Sequence, residues 1–420
     1  MMDEGVAVIA AARPKLRSND TEYPYRQNSD FYYLCGFEED NAALVFVKSA
    51  TVRKTLLFVQ SKNEEMELWT GTRLGVYEAS ERFAVDEVHS IDTYRDKIKE
   101  LLKDHHTLYL ELFCDDPLYT RAKSTAEALM HSRGVQRAPQ TFKDITKLTQ
   151  KMRLIKDKSE IALVRKALEI TKTAHHHAMK ICTPQMKEYQ IQAEYEYIFT
   201  KNGAYSDAYT TIVAGGNNAN TLHYIKNDHP LRDGEMVLID AGCEYEMYAS
   251  DITRTFPVSG RFSPPQKALY EMVLDVQIRV IESIRPGMTK ARLQEFAERL
   301  LCEGMVKLGI LSGGVEVLFE KKAHKKYFPH GIGHWMGLDV HDPCPYTDEE
   351  GKDIVFVPGM VMTIEPGLYL GKDDESLPKQ YRGIGIRIED NILVTEEGCV
   401  NLSEGIAKSV DEIEAMCKAE

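Results

Sequence analysis

The sequence has eight cysteines but no Cys-x-x-Cys pair, so neither a zinc ribbon nor a dithiol redox motif is expected. Scattered through 420 residues, they read as reduced thiols and not as a disulfide framework. No apolar run is long enough to cross a bilayer. The brief apolar stretch 6–12 follows Met-Met-Asp-Glu without a basic segment and is too short for a signal peptide, so a cytoplasmic chain with no membrane contact is expected. Positive charge is in the minority, 52 Lys and Arg against 65 Asp and Glu, and a net charge of −13 leaves no footprint for nucleic acid. There is no His-Glu-x-x-His helix, no Gly-x-Ser-x-Gly elbow and no Walker A loop. Gly331-Ile-Gly333 has the wrong spacing for a dinucleotide fingerprint.

What is present is an ordinary globular composition, 43% hydrophobic and 28% charged, in a chain long enough for two or three domains. The first 145 residues or so alternate strand candidates (6–11, 42–47, 55–59 and 108–112) with helical stretches at 91–104 and 118–131, an α/β layer without a catalytic signature. The polar stretch 136–147 is the expected joint, giving domains at 1–150 and 151–420. Beyond it, Asp157 to Glu160 has the spacing of a capping box and opens a helix with Ile161, Val164, Leu168 and Ala178 on one side. His175, His176 and His177 fan around that helix, cannot converge on one ion, and read as surface residues. Further helices are expected at 186–202, 265–284 and 289–308, and each helix pair is followed by strand-forming segments. This is a weak internal repeat of about a hundred residues, which suggests two like halves facing each other.

Three strand-like segments end in carboxylates. Val237, Leu238 and Ile239 run into Asp240, and a second strand from Tyr248 to Phe256 carries Asp251. With a turn at Tyr245-Glu246, the two aspartates sit directly opposite, their Cβ atoms roughly 4.5–5.5 Å apart. Carboxylates that close repel unless they share a proton or a cation; exposed hairpin acids are the bland alternative. Val361-Met-Thr-Ile-Glu365 repeats the pattern. In Gly385-Ile-Arg387-Ile-Glu389, period two sets Ile384, Ile386 and Ile388 on one face and Arg387 and Glu389 on the other. His330-Gly-Ile-Gly-His334 adds an imidazole in a glycine-rich stretch. Four carboxylates and one imidazole suit two divalent ions such as manganese better than a thiolate zinc site.

These stretches carry a resemblance. Tyr23 to Phe31, Asp240-Ala-Gly-Cys-Glu-Tyr245, Asp251-Ile-Thr-Arg-Thr-Phe256, His330 to His341, Glu365-Pro-Gly-Leu-Tyr369 and Tyr381 to Glu389 are similar to the motifs of the aminopeptidase P family. These are proline-specific metallopeptidases whose pita-bread fold is shared with prolidase, methionine aminopeptidase and creatinase. The resemblance implies an α/β creatinase-like N-terminal domain and an α+β pita-bread catalytic domain that removes the first residue from peptides with proline second. A dipeptide-restricted prolidase and a non-catalytic pita-bread binding module are the alternatives; the latter would have lost metal ligands, and all five are present.

By the same resemblance, Asp240 and Asp251 are the chelating and bridging aspartates, Glu389 is the bridging glutamate, and His334 and Glu365 complete the shell around two divalent ions. Mn2+ is expected ahead of Co2+ or Zn2+. Glu365 is also the expected proton shuttle. His223 and His341 are implied to contact substrate and the tetrahedral intermediate, and Arg387 to buttress the site. His330 is expected behind them. The resemblance further implies a homodimer or homotetramer. Two departures stand out: the chain begins close to its first strand, where relatives carry an extra helix, so that leading element is expected to be missing. Asp342-Pro-Cys-Pro-Tyr346 stands where Asp-Val-Gly-x-Tyr is expected, and its two prolines would reshape the substrate loop without touching the metal ligands.

Overall fold

The computed structural model describes residues 2–133, 135 and 137–418, and its contacts divide the chain after Met152 into two compact units. The stretch 136–147 is not the joint. Gln136 lies outside the described residues, and Thr141–Asp144 is an edge strand of the first unit's sheet.

That sheet has six strands, β1 (Gly5–Ala10), β2 (Ala43–Lys48), β3 (Arg53–Val59), β4 (Glu87–Ser90), β5 (Thr107–Leu110) and β6 (Thr141–Asp144), in the order β4-β3-β2-β1-β5-β6. β1 pairs antiparallel with β2 and parallel with β5, so it is central and buried along its whole length. This is why it reads as a continuous apolar run and not as an alternation. Val6, Val8 and Ala10 pack with Ile98 of α1 (Tyr94–Leu102) and Ala122 of α2 (Pro117–Met130), whereas Ala7 and Ile9 face Phe31 and Phe37 on the other side. The expected strands and helices fall within a few residues of these elements.

The second unit opens with α3 (Lys158–Ile181), whose N-cap Asp157 and Glu160 close the expected capping box, followed by α4 (Glu188–Lys201). The later pair is α5 (Pro264–Ser283) and α6 (Lys290–Lys307). Each pair is followed by an antiparallel sheet. After the first comes β7 (Ile212–Gly215), β8 (Met236–Ala241) and β11 (Ile252–Pro257), in the order β7-β8-β11, with a small hairpin of β9 (Cys243–Tyr245) and β10 (Tyr248–Ala249). After the second come β12 (Val361–Ile364), β13 (Gly367–Leu370), β14 (Ile384–Arg387), β15 (Asp390–Val394) and β16 (Cys399–Asn401), arranged as β12-β15-β16 and β13-β14. One core runs between helices and strands of both halves, from Ile170 and Tyr195 to Val273, Leu301, Met362 and Ile386.

Two expectations change here. The hairpin turn is Glu246-Met247, both at positive φ (48° and 68°), not Tyr245-Glu246. Asp240 therefore pairs with Thr253, and Asp251 sits two residues further along, diagonal to Asp240 instead of opposite it. A shift of two preserves the face, so both carboxylates still point the same way. Gly242 makes the crossing possible: a Cβ there would lie 1.8 Å from the Ser250 carbonyl oxygen. His175 is the second correction. It is fully buried, with Nδ1 2.8 Å from the Tyr195 hydroxyl and Nε2 facing the Ala241 carbonyl. Only the outer neighbours approach the expected surface role, His176 accepting from Ala407 N–H and His177 pairing with Glu194 at 2.9 Å.

Candidate metal centre

The carboxylates meet where the strands of the two halves end. Asp240 closes the apolar run of β8, Asp251 precedes β11, Glu365 follows β12, and Glu389 stands between β14 and β15. All four line one cavity of about 790 Å3 together with His223, His330, His334, His341 and Arg387. Donor atoms of Asp251, His334 and Glu389 lie within 4.8 Å of one another. His334 Nε2 is 3.2 Å from Asp251 Oδ2 and 3.8 Å from Glu365 Oε1. Its Nδ1 faces the Trp335 carbonyl at 3.1 Å, and a proton donated there leaves Nε2 free to act as a ligand. Gly333 lets the strand edges close, since a Cβ on it would meet the Thr363 carbonyl oxygen at 1.8 Å.

Behind the carboxylates stands a set of neutral donors and one guanidinium. Arg387 donates to Asp240 Oδ2 (2.5 Å), to the Thr253 hydroxyl (3.1 Å) and to the Tyr369 hydroxyl (3.0 Å). Thr253 in turn donates to Glu389 Oε2 at 2.7 Å. Tyr209 reaches Asp240 and Asp251 at 2.6 and 2.5 Å. Asn391 brackets Asp251 through its backbone N–H and carbonyl. One guanidinium and one imidazole cannot balance four clustered acids, three of them buried. Burial pushes Glu365 up to about 7, with the other acids adding to it, and drives Glu389 and Asp240 upward against the pull of Arg387. Burial opposes protonation of His334, yet the bond and charge of Asp251 outweigh it and hold the imidazole up to about 9. An acidic cluster with so little countercharge is the electrostatic signature of a cation site, and mainly oxygen donors fit hard divalent ions.

His341 stacks edge-on against His334, ring centroids 4.2 Å apart, and His223 is exposed on the cavity wall. His330 bonds the Tyr369 hydroxyl at 2.8 Å and stands 3.6 Å from Glu365 on the cavity lining. The Pro343–Pro345 loop is pinned by Trp335, whose indole N–H donates to the Pro345 carbonyl. Sequence reasoning missed Tyr209 and Thr253. Tyr209 is an isolated aromatic in a loop, while Thr253 was visible only through the strand register.

A second grouping, Glu188, Asp228 and His229, also brings donor atoms together. There the Glu188 carboxylate already accepts from Gly215 N–H, the Asn218 amide, the Tyr224 hydroxyl and His229 N–H, at 2.8–2.9 Å. It ties down both sides of the loop that carries His223.

Residues 162–396 match metallopeptidase family M24, and residues 1–109 match the aminopeptidase P N-terminal domain. The chain belongs to the M24 metallopeptidases, a class of hydrolases that bind divalent metal, and within it to the aminopeptidase P group. It is 42% identical to the Xaa-Pro aminopeptidase of Escherichia coli over all of this chain and 95% of that one. The human Xaa-Pro aminopeptidase 3 is 35% identical, covering 95% of this chain and 78% of its own length. Proline aminopeptidase P II from Yersinia pestis superposes with a TM-score of 0.95 at 44% identity, over 99% of this chain and 96% of that one. The zinc-substituted E. coli aminopeptidase P in complex with product also gives 0.95, at 42% identity over 99% and 94% of the two chains. The architecture is thus an α/β N-terminal domain followed by an α+β pita-bread catalytic domain.

Proposed function

We propose that this chain is a metal-dependent Xaa-Pro aminopeptidase that releases the N-terminal residue from peptides with proline second. The observation that carries it is the convergence of Asp240, Asp251, His334, Glu365 and Glu389, contributed by both halves, in one cavity that His223 and His341 also line. The donor set fits two divalent ions, with Asp240, Asp251 and Glu389 as carboxylate ligands and His334 and Glu365 completing the shell. Mn2+ is the proposed ion, and Co2+ and Zn2+ are the ones to compare with it. When bound, such a pair supplies an acidified water and a Lewis acid for the scissile carbonyl.

The side chains do the rest. Arg387 and Thr253 fix the orientation of Asp240 and Glu389. His223 and His341 bind the substrate and donate to oxygen as charge develops on it. The Xaa-Pro bond has no N–H, so recognition of the scissile bond cannot use one. Its leaving imino nitrogen needs a proton, and Glu365 holds and delivers it. The reading includes a cytoplasmic homo-oligomer, dimer or tetramer. No helix among the described residues is long and apolar enough to cross a membrane.

The test is a metal-depleted preparation restored with Mn2+, Co2+ or Zn2+ and offered Xaa-Pro dipeptides, longer Xaa-Pro peptides and Xaa-Ala controls. Metal-dependent release of the first residue from the longer Xaa-Pro peptides is expected. Cleavage restricted to dipeptides, or no preference for proline, would overturn the reading.

A further inference from the structure

Lys290 is badly placed for its own fold. It is the first residue of α6, where a cation meets the positive end of the helix dipole. It is half-buried, and burial pushes its ammonium below the usual lysine range while Glu365 pulls the other way. Among the described residues its Nζ makes no hydrogen bond and no ion pair. What holds it is the face of Tyr346, whose ring centroid lies 4.0 Å from Nζ and whose ring stacks on buried Trp335 at 5.5 Å. A cation–π contact of this kind fixes the direction of an ammonium without neutralising it.

That direction is into the active cavity. Lys290 lines it, and a Cβ built on Gly331 would lie 3.8 Å from Nζ, which sets the ammonium beside the His330-Gly331 corner. Arg387, the other lysine or arginine on the cavity wall, is committed to Asp240, Thr253 and Tyr369. Lys290 therefore brings donors that the protein leaves unspent. A peptide's free amine would be repelled by it, so the ammonium belongs to the other half of the substrate, beyond the proline.

We propose that Lys290 is a specificity-determining residue that binds a carboxylate on the leaving half of the peptide. The carboxylate is either the free C-terminus of a tripeptide or an acidic side chain at the third position. This inference rests on the Xaa-Pro aminopeptidase reading and gives that activity a substrate class, short or acidic peptides. Lys290 makes no contact with the proposed metal ligands through a hydrogen bond or ion pair, so its role is separable from theirs.

The experiment uses the full, metal-loaded chain and three substrates: Ala-Pro-Ala, its C-terminal amide, and Ala-Pro-Glu-amide. The parent enzyme should prefer at least one carboxylate-bearing peptide over the neutral amide by roughly tenfold in kcat/KM, mainly through KM. Which of the two is preferred identifies the source of the carboxylate. Lys290→Met should bring the ratio close to one with metal content preserved, and Lys290→Arg should keep most of it. Equal kcat/KM for all three peptides in the parent would overturn the proposal. So would a Lys290→Met enzyme that keeps the parent ratio or loses all three substrates equally. Cleavage of none of the three would overturn the peptidase reading itself, and this inference with it.

Discussion

Thr253 shows how much of the centre is built from residues that carry no charge. Its hydroxyl accepts from Arg387 and donates to Glu389, so one buried oxygen sets the orientation of a guanidinium and a carboxylate together. Replacing it with valine preserves shape and strands both partners. Thr253→Val should fold normally and lose divalent-metal affinity by roughly 10–100-fold, the usual cost of removing a group that orients a ligand. Competition with a metallochromic dye measures this, and unchanged affinity would contradict it. The proposed ligands themselves were candidates from the sequence: Asp240, Glu365 and Glu389 close apolar strand-like runs, His334 sits in a glycine-rich run, and Asp251 lies on the strand paired with that of Asp240. Thr253 and Tyr209 were not. A hydroxyl's role depends on what stands across the sheet, and the hairpin register was misread by two residues.

At the scale of the element, α3 was read correctly from its capping box and apolar stripe, yet one of its three histidines, His175, was misassigned to the surface. Adjacent residues on a helix point in directions about 100° apart, so the three cannot all share one face. His175 faces inward, and its partner, the Tyr195 hydroxyl on the neighbouring helix, is invisible to any local pattern. Burial, with the charge of Arg254 adding to it, pushes the His175 imidazole down to about 3. The unfolded chain, with an ordinary histidine near 6.5, binds a proton across that window and the folded chain does not. Stability contributed here is therefore fully present above about pH 6.5 and is lost as pH falls towards 3, by at most roughly 1.4 kcal/mol per pH unit. Urea unfolding at pH 7 and pH 5 should show the loss, and His175→Gln should flatten it. An identical pH slope in the variant would remove His175 from the account.

For the whole molecule, the internal repeat matters most. Two helix pairs, each followed by an antiparallel sheet, bring strand ends from separate halves of the catalytic unit to one place. That architecture explains why the five proposed ligands span 150 residues, from Asp240 to Glu389, and why none of them lies in the N-terminal unit. The central claim is that these five residues hold two divalent ions. The direct measurement is an anomalous difference map at the manganese edge from crystals of the Mn2+-loaded protein. Two peaks are predicted among the five side chains Asp240, Asp251, His334, Glu365 and Glu389 that line the cavity. A single peak there, or manganese bound instead at Glu188, Asp228 and His229, would contradict it.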